Sequence, residues 1–208
     1  TTGVIWKQLL LFFFPILIGT FFQQLYNTVD TVIVGKYVGT NALAAVGSTG
    51  NLINLIVNFF IGLSSGATVV IAQFYGSNDD IKVSKAVHTS IAMSFICGVV
   101  MMVFGLLFSR QCLNMIGVPS DIINDATAYM KLYFLSMIPG VIYNIGAGIL
   151  RAIGDSKTPL YYLIICSGVN VFFDLLFVAY FKIGVAGAAI ATVIAQFVCA
   201  ILVMRKLM

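Results

Sequence analysis

The sequence predicts an all-α integral membrane protein, a bundle of six transmembrane helices, and three observations carry that expectation. Of 208 residues, 61% are hydrophobic and 9% charged, with a mean hydropathy of +1.06, whereas soluble globular chains are roughly 45–50% apolar and about 25% charged. The apolar residues fall into six runs, each long enough to cross a hydrocarbon core of about 30 Å, which takes roughly 20 residues of helix. The joints between runs are short and polar, so no hydrophilic stretch remains for a soluble catalytic domain. The chain reads as a single six-helix domain over residues 1–208, with no signal-peptide cleavage pattern ahead of the first run.

In order, the first span is expected over residues 9–34 and the second over 42–75, the latter long enough to tilt or project from the bilayer. The third covers 87–108. A polar interval from Arg110 to Asp125, containing the turn-like Gly117-Val118-Pro119-Ser120, leads into a fourth span over 126–150. The fifth is expected over 160–181 and the sixth over 185–204. Within the fourth, Pro139-Gly140 should interrupt the helix, and Tyr143 and Asn144 follow.

On this map Lys7, Lys82, Lys85, Arg151, Lys157, Arg205 and Lys206 lie on one side, and Lys36, Arg110, Lys131 and Lys182 on the other. The positive-inside rule places the richer side, and with it both termini, in the cytoplasm, with the bilayer expected to be the cell (plasma) membrane. Because the basic residues are scattered over helix ends, membrane topology explains the net charge of +4 better than nucleic-acid binding does.

Enzyme chemistry finds no support. No nucleophile–base constellation or Gly-rich phosphate loop is present, and the sole histidine, His88, stands beside Lys85 at a cytoplasmic helix end. Cys97, Cys112, Cys166 and Cys199 are widely spaced without a metal-binding pattern and read as small core residues, with no resident metal. The runs Ala42–Gly47 and Gly184–Ala189 are rich in small residues, which let helix backbones approach closely in lipid.

The informative residues are polar ones inside the apolar runs. All seven acids are Asp, and five, Asp79, Asp80, Asp121, Asp125 and Asp155, fall in joints. Asp30 and Asp174 lie inside the first and fifth spans, where a carboxylate costs several kcal/mol unless it is paired, neutralised or wetted. Asn170 precedes Asp174 by one helical turn, on the same face. Asp174 lies eight residues before the joint between the last two spans and Thr192 eight after it, so both sit at similar depth and meet if their faces turn together. Asp30 also falls in the outer half. Two carboxylates, an amide oxygen and a hydroxyl are hard ligands suited to a small cation, and an acid at this depth equally serves as a proton carrier. The plainer alternative is that Asn170 and Thr192 only hydrogen-bond between helices.

The first span carries a polar stripe, Gln23, Asn27, Asp30 and Thr31, which must face protein or water rather than lipid. Pro15 is expected to kink the same helix. Asn51, Asn54 and Asn58 form a stripe on the second span, read as interhelical glue or cavity lining.

These residues resemble a known family. Pro15, then Gln23-Gln24-Leu25-Tyr26-Asn27-Thr28-Val29-Asp30-Thr31, Val34-Gly35 and Ala42-Leu43-Ala44-Ala45-Val46-Gly47 are similar to the first two helices of the multidrug and toxic compound extrusion (MATE) family. Ile149-Leu150-Arg151-Ala152-Ile153-Gly154-Asp155 with Pro159 resembles its joint between helices four and five. The resemblance covers essentially the whole chain. It implies one lobe of a two-lobe, twelve-helix transporter that exports organic cations in exchange for protons or sodium. It also implies, as in DinF-like members, that Asp30, Asn170, Asp174 and Thr192 form the cation-coupling cluster and that Pro15 is the bend residue. Gln23, Tyr26, Asn27 and Asn144 would face the substrate cavity. The chain stops after six helices, so a second six-helix lobe, covalent or another copy, is the expected partner.

The leading expectation is therefore a cation-coupled antiporter lobe that exports lipophilic organic cations by alternating access. It has no cofactor beyond a bound proton or sodium ion. A lipid-linked saccharide flippase of the same superfamily is the nearest alternative, but its anionic headgroup favours Arg or Lys deep in the spans, where only acids occur. The other alternative is a non-transporting membrane assembly subunit.

Overall fold

The computed structural model describes residues 5–208, so the first four residues of the expected 1–208 unit lie outside the described residues. Helix α1 (Ile5–Tyr37) meets α2 (Thr40–Gly76) at Gly39, whose φ of 116° is open to glycine and strained for a side chain. A tight turn with Asn78 at φ 54° leads to α3 (Asp80–Met115). There the Asp79 carboxylate caps the helix, accepting from the Lys82 backbone N–H at 3.1 Å and pairing with Lys82 Nζ at 2.8 Å. Next come α4 (Ile123–Leu135), α5 (Met137–Ala152), α6 (Lys157–Asp174), a π-helical turn (Leu175–Tyr180) and α7 (Val185–Leu207). Among the described residues five helices are long and apolar enough to cross a membrane, six when the bent pair α4/α5 is counted as one span.

The spans follow the sequence expectation with three differences. Arg110 to Met115 continues α3 as helix, and so does the polar start from Asp80, so the third span is longer than residues 87–108 at both ends. A helix satisfies its own backbone polar groups and need not stop where the apolar run stops. The fourth span breaks at Ser136, with a 49° bend, rather than at Pro139-Gly140. Pro139 instead occupies the first turn of α5, where its missing N–H needs no intrahelical partner. The fifth span changes to π-helix directly after Asp174. Pro15 sits within α1, whose helical backbone is uninterrupted.

Helix α5 packs against α2, α3 and α7, α4 against α3 and α7, and α6 against α1 and α7. One apolar cluster joins Ile56, Phe60, Leu113, Met130, Phe134 and Val141, and a second joins Val34, Val46, Ile53, Val178 and Ala188. The large side chains Phe13, Phe14, Phe21, Phe95, Ile96 and Leu107 are exposed on the surface of the bundle.

Candidate functional site

A cavity of about 290 Å³ opens within the bundle, walled by α1, α2, α4, α5, α6 and α7. Each wall has a local reason to point polar atoms inward. On α1, Gln23, Tyr26, Asn27, Asp30 and Thr31 line it, one continuous face at three- and four-residue spacing. Thr31 folds its hydroxyl back onto the Asn27 carbonyl at 2.8 Å. On α5, the Asn144 side-chain amide donates to the Gly140 carbonyl at 2.9 Å, while its backbone carbonyl accepts from Ser64 of α2 at 2.8 Å. The Ser136 hydroxyl at the α4/α5 break donates to the Tyr133 carbonyl at 2.7 Å, so the bend brings a polar group to the wall.

At one end of the cavity the residues expected to bind a cation converge from three helices. The Asn170 amide donates to the Thr192 hydroxyl at 3.4 Å, and that hydroxyl donates to the Ala188 carbonyl at 3.1 Å. The carboxyls of Asp30 and Asp174 are neighbours, within hydrogen-bonding reach once one of them carries a proton. Asp30, Asn170 and Thr192 line the cavity, whereas Asp174 is fully buried behind them at the end of α6. Asp30 Oδ1, Asn170 Oδ1 and both Asp174 carboxylate oxygens are buried without a hydrogen-bond partner. Orphaned acceptors at that depth are costly unless a proton or a cation reaches them. Four hard oxygens suit a monovalent cation. No cluster of three or more His, Cys, Asp or Glu exists among the described residues.

The four expected cavity residues, Gln23, Tyr26, Asn27 and Asn144, all line the chamber. Of the second-span stripe only Asn54 does; Asn51 and Asn58 are exposed and are not part of its lining. Sequence reasoning missed Tyr129, Tyr133 and Gln196. Tyr26, Tyr129 and Tyr133 line the same cavity as Asp30. Gln196 follows Thr192 by one turn of α7, and Tyr129 and Tyr133 are one turn apart on α4. That periodicity was the available signal.

Comparison with known proteins agrees with this architecture. The MatE family profile matches residues 15–176. "Probable multidrug resistance protein YoeA" of Bacillus subtilis is 33% identical, aligned over 97% of this chain and 45% of its own length. "Probable multidrug resistance protein NorM" of Thermotoga maritima is 26% identical over 92% of this chain and 42% of its own. The crystal structure of MATE in the straight conformation superposes with a TM-score of 0.89 at 28% identity, covering 97% of this chain and 44% of that one. The chain thus spans about half the length of the relatives it matches. With its fold matching one lobe of a MATE transporter and the family profile covering most of its length, this membrane chain belongs to the MatE family.

Proposed function

We propose that this chain is the amino-terminal lobe of a multidrug exporter that couples the inward movement of protons or sodium to the outward release of lipophilic organic cations. The observation that carries the reading is the convergence of Asp30, Asn170, Asp174 and Thr192 at the end of a polar cavity, with four acceptor oxygens lacking partners. A proton or sodium ion satisfies those oxygens and removes net negative charge from the cavity wall, weakening the hold on a cationic substrate. Substrate and coupling ion therefore compete for one charge, and differential binding to two states of the transporter turns that competition into export. The acidic cavity, framed by Tyr26, Tyr129, Tyr133 and Tyr143, suits aromatic cations through charge and ring-face attraction. A second six-helix lobe completes the chamber, in keeping with relatives about twice as long. The transporter acts in the plasma membrane with the basic helix ends, and both ends of this segment, in the cytoplasm.

The test is efflux of a fluorescent organic cation from vesicles holding the full-length protein, driven separately by proton and sodium gradients. Wild type is expected to export, and Asp30→Asn and Asp174→Asn to abolish export; the effective gradient names the ion. Export indifferent to both substitutions overturns the carboxylate mechanism. No export at all moves a flippase or assembly role ahead.

A further inference from the structure

Next to the cation cluster the cavity wall holds a pair of groups that the transport reading does not use. Cys166 of α6 and Cys199 of α7 both line the cavity, and both are free thiols. They come from opposite helices of a hairpin whose facing sides are fixed by the Asn170–Thr192 hydrogen bond. Cys166 is one turn before Asn170, and Cys199 two turns after Thr192, so each thiol continues the face that meets the other helix. Cys199 Sγ lies 3.9 Å from the Tyr162 carbonyl, one turn before Cys166 on α6. Tyr143 of α5 lines the same cavity wall as both thiols.

We propose that Cys166 and Cys199 form a dithiol site in the cavity wall that captures trivalent organoarsenicals. The chemistry suits a buried place because it separates no charge. An arsenic(III) oxide of the type R–As=O condenses with two neutral thiols: two As–S bonds form, the As–O bonds and both S–H bonds break, and oxygen leaves with both hydrogens as water. Arsenic stays in the +3 state, and no thiolate persists in the apolar wall. The organic group projects into the cavity beside the Tyr143 ring. Cys97 and Cys112 are no rival pair, since they lie fifteen residues apart on α3, roughly 22 Å at about 1.5 Å per residue.

The proposal does not depend on the transport reading. It is tested on the full-length protein by incubation with phenylarsine oxide, washing with excess 2-mercaptoethanol, and intact-mass measurement. A monothiol strips arsenic from single cysteines but competes poorly with a chelating pair. The expected result is one retained phenylarsenic adduct, released by 2,3-dimercaptopropanol, whose peptide map joins the segments carrying Cys166 and Cys199. Cys166→Ser and Cys199→Ser, each eluting as a monodisperse species, lose the adduct, and Cys97→Ser with Cys112→Ser keeps it. No retained adduct, capture only after denaturation, or a retained adduct mapping elsewhere overturns the proposal, and the peptide map decides even where a variant folds poorly.

Discussion

Gly105 on α3 lies against the Phe134 ring of α4, and a Cβ at that position would overlap the ring. Phe134 is 1% exposed and has nowhere to move. Gly105→Ala is therefore expected to cost about 1–3 kcal/mol through overpacking, read as a lower unfolding midpoint in detergent. Gly168→Ala on α6, where a Cβ meets nothing within 4 Å, serves as the control and should not lower it. Combining Gly105→Ala with Phe134→Leu should recover part of the loss.

Thr192→Val keeps the shape of the side chain and removes the partner of the Asn170 amide. Interhelical hydrogen bonds in membranes contribute about 0.6 kcal/mol on average, so thermal stability should change little. Coupled efflux should fall at least tenfold if the hydroxyl helps hold the ion. A variant that exports normally would leave Thr192 as interhelical glue.

A substitution at Gln196 tests substrate binding apart from ion coupling. Its Oε1 is buried without a partner in the cavity wall. Gln196→Leu removes an orphaned acceptor whose desolvation costs about 1–3 kcal/mol, so stability should hold or rise. The KM for organic cations is expected to change while the response to the ion gradient is kept, as parallel transport assays on several dyes would show.

At the α2–α3 turn, Asp79 caps α3 through its hydrogen bonds to Lys82, and these hold its carboxyl below the ordinary carboxylate range. A group lowered on folding contributes stability above its unfolded pKa of about 3.9 and loses it as pH falls through the lower folded value. The protection of the Lys82 amide against hydrogen exchange, taken relative to the intrinsic rate at each pH, should therefore fall in acid below that point. Asp79→Ala should lower it already at neutral pH, and Asp79→Asn, which keeps an acceptor, less.

What the sequence made legible depended on the physics of each feature. Hydropathy located the spans because lipid enforces it residue by residue. Asp30, Asn170, Asp174 and Thr192 stood out because a polar group in an apolar run needs a reason. The α4/α5 bend was misplaced by three residues because Pro139 ends the preceding helix and is tolerated in the first turn of the next, which shifts the break to Ser136. The π turn after Asp174 leaves no compositional mark. Nor does the shared cavity wall of Cys166 and Cys199, which read singly as small core residues; only the rotation of two helices about their axes turns both toward the cavity. Asn51 and Asn58 illustrate the converse, since a shared stripe with Asn54 did not put all three in the cavity.

The lengths of α2 and α3 carry a mechanical consequence. At 37 and 36 residues, and about 1.5 Å per residue, each is a rod of roughly 55 Å against a hydrocarbon core of about 30 Å. Each is therefore longer than the hydrocarbon core is thick, and the Ser77–Asp79 turn ends both rods. On the proposed transport cycle, a rotation of the lobe displaces that turn further than it displaces Asp30, and a spectroscopic label on Asn78 is expected to register it.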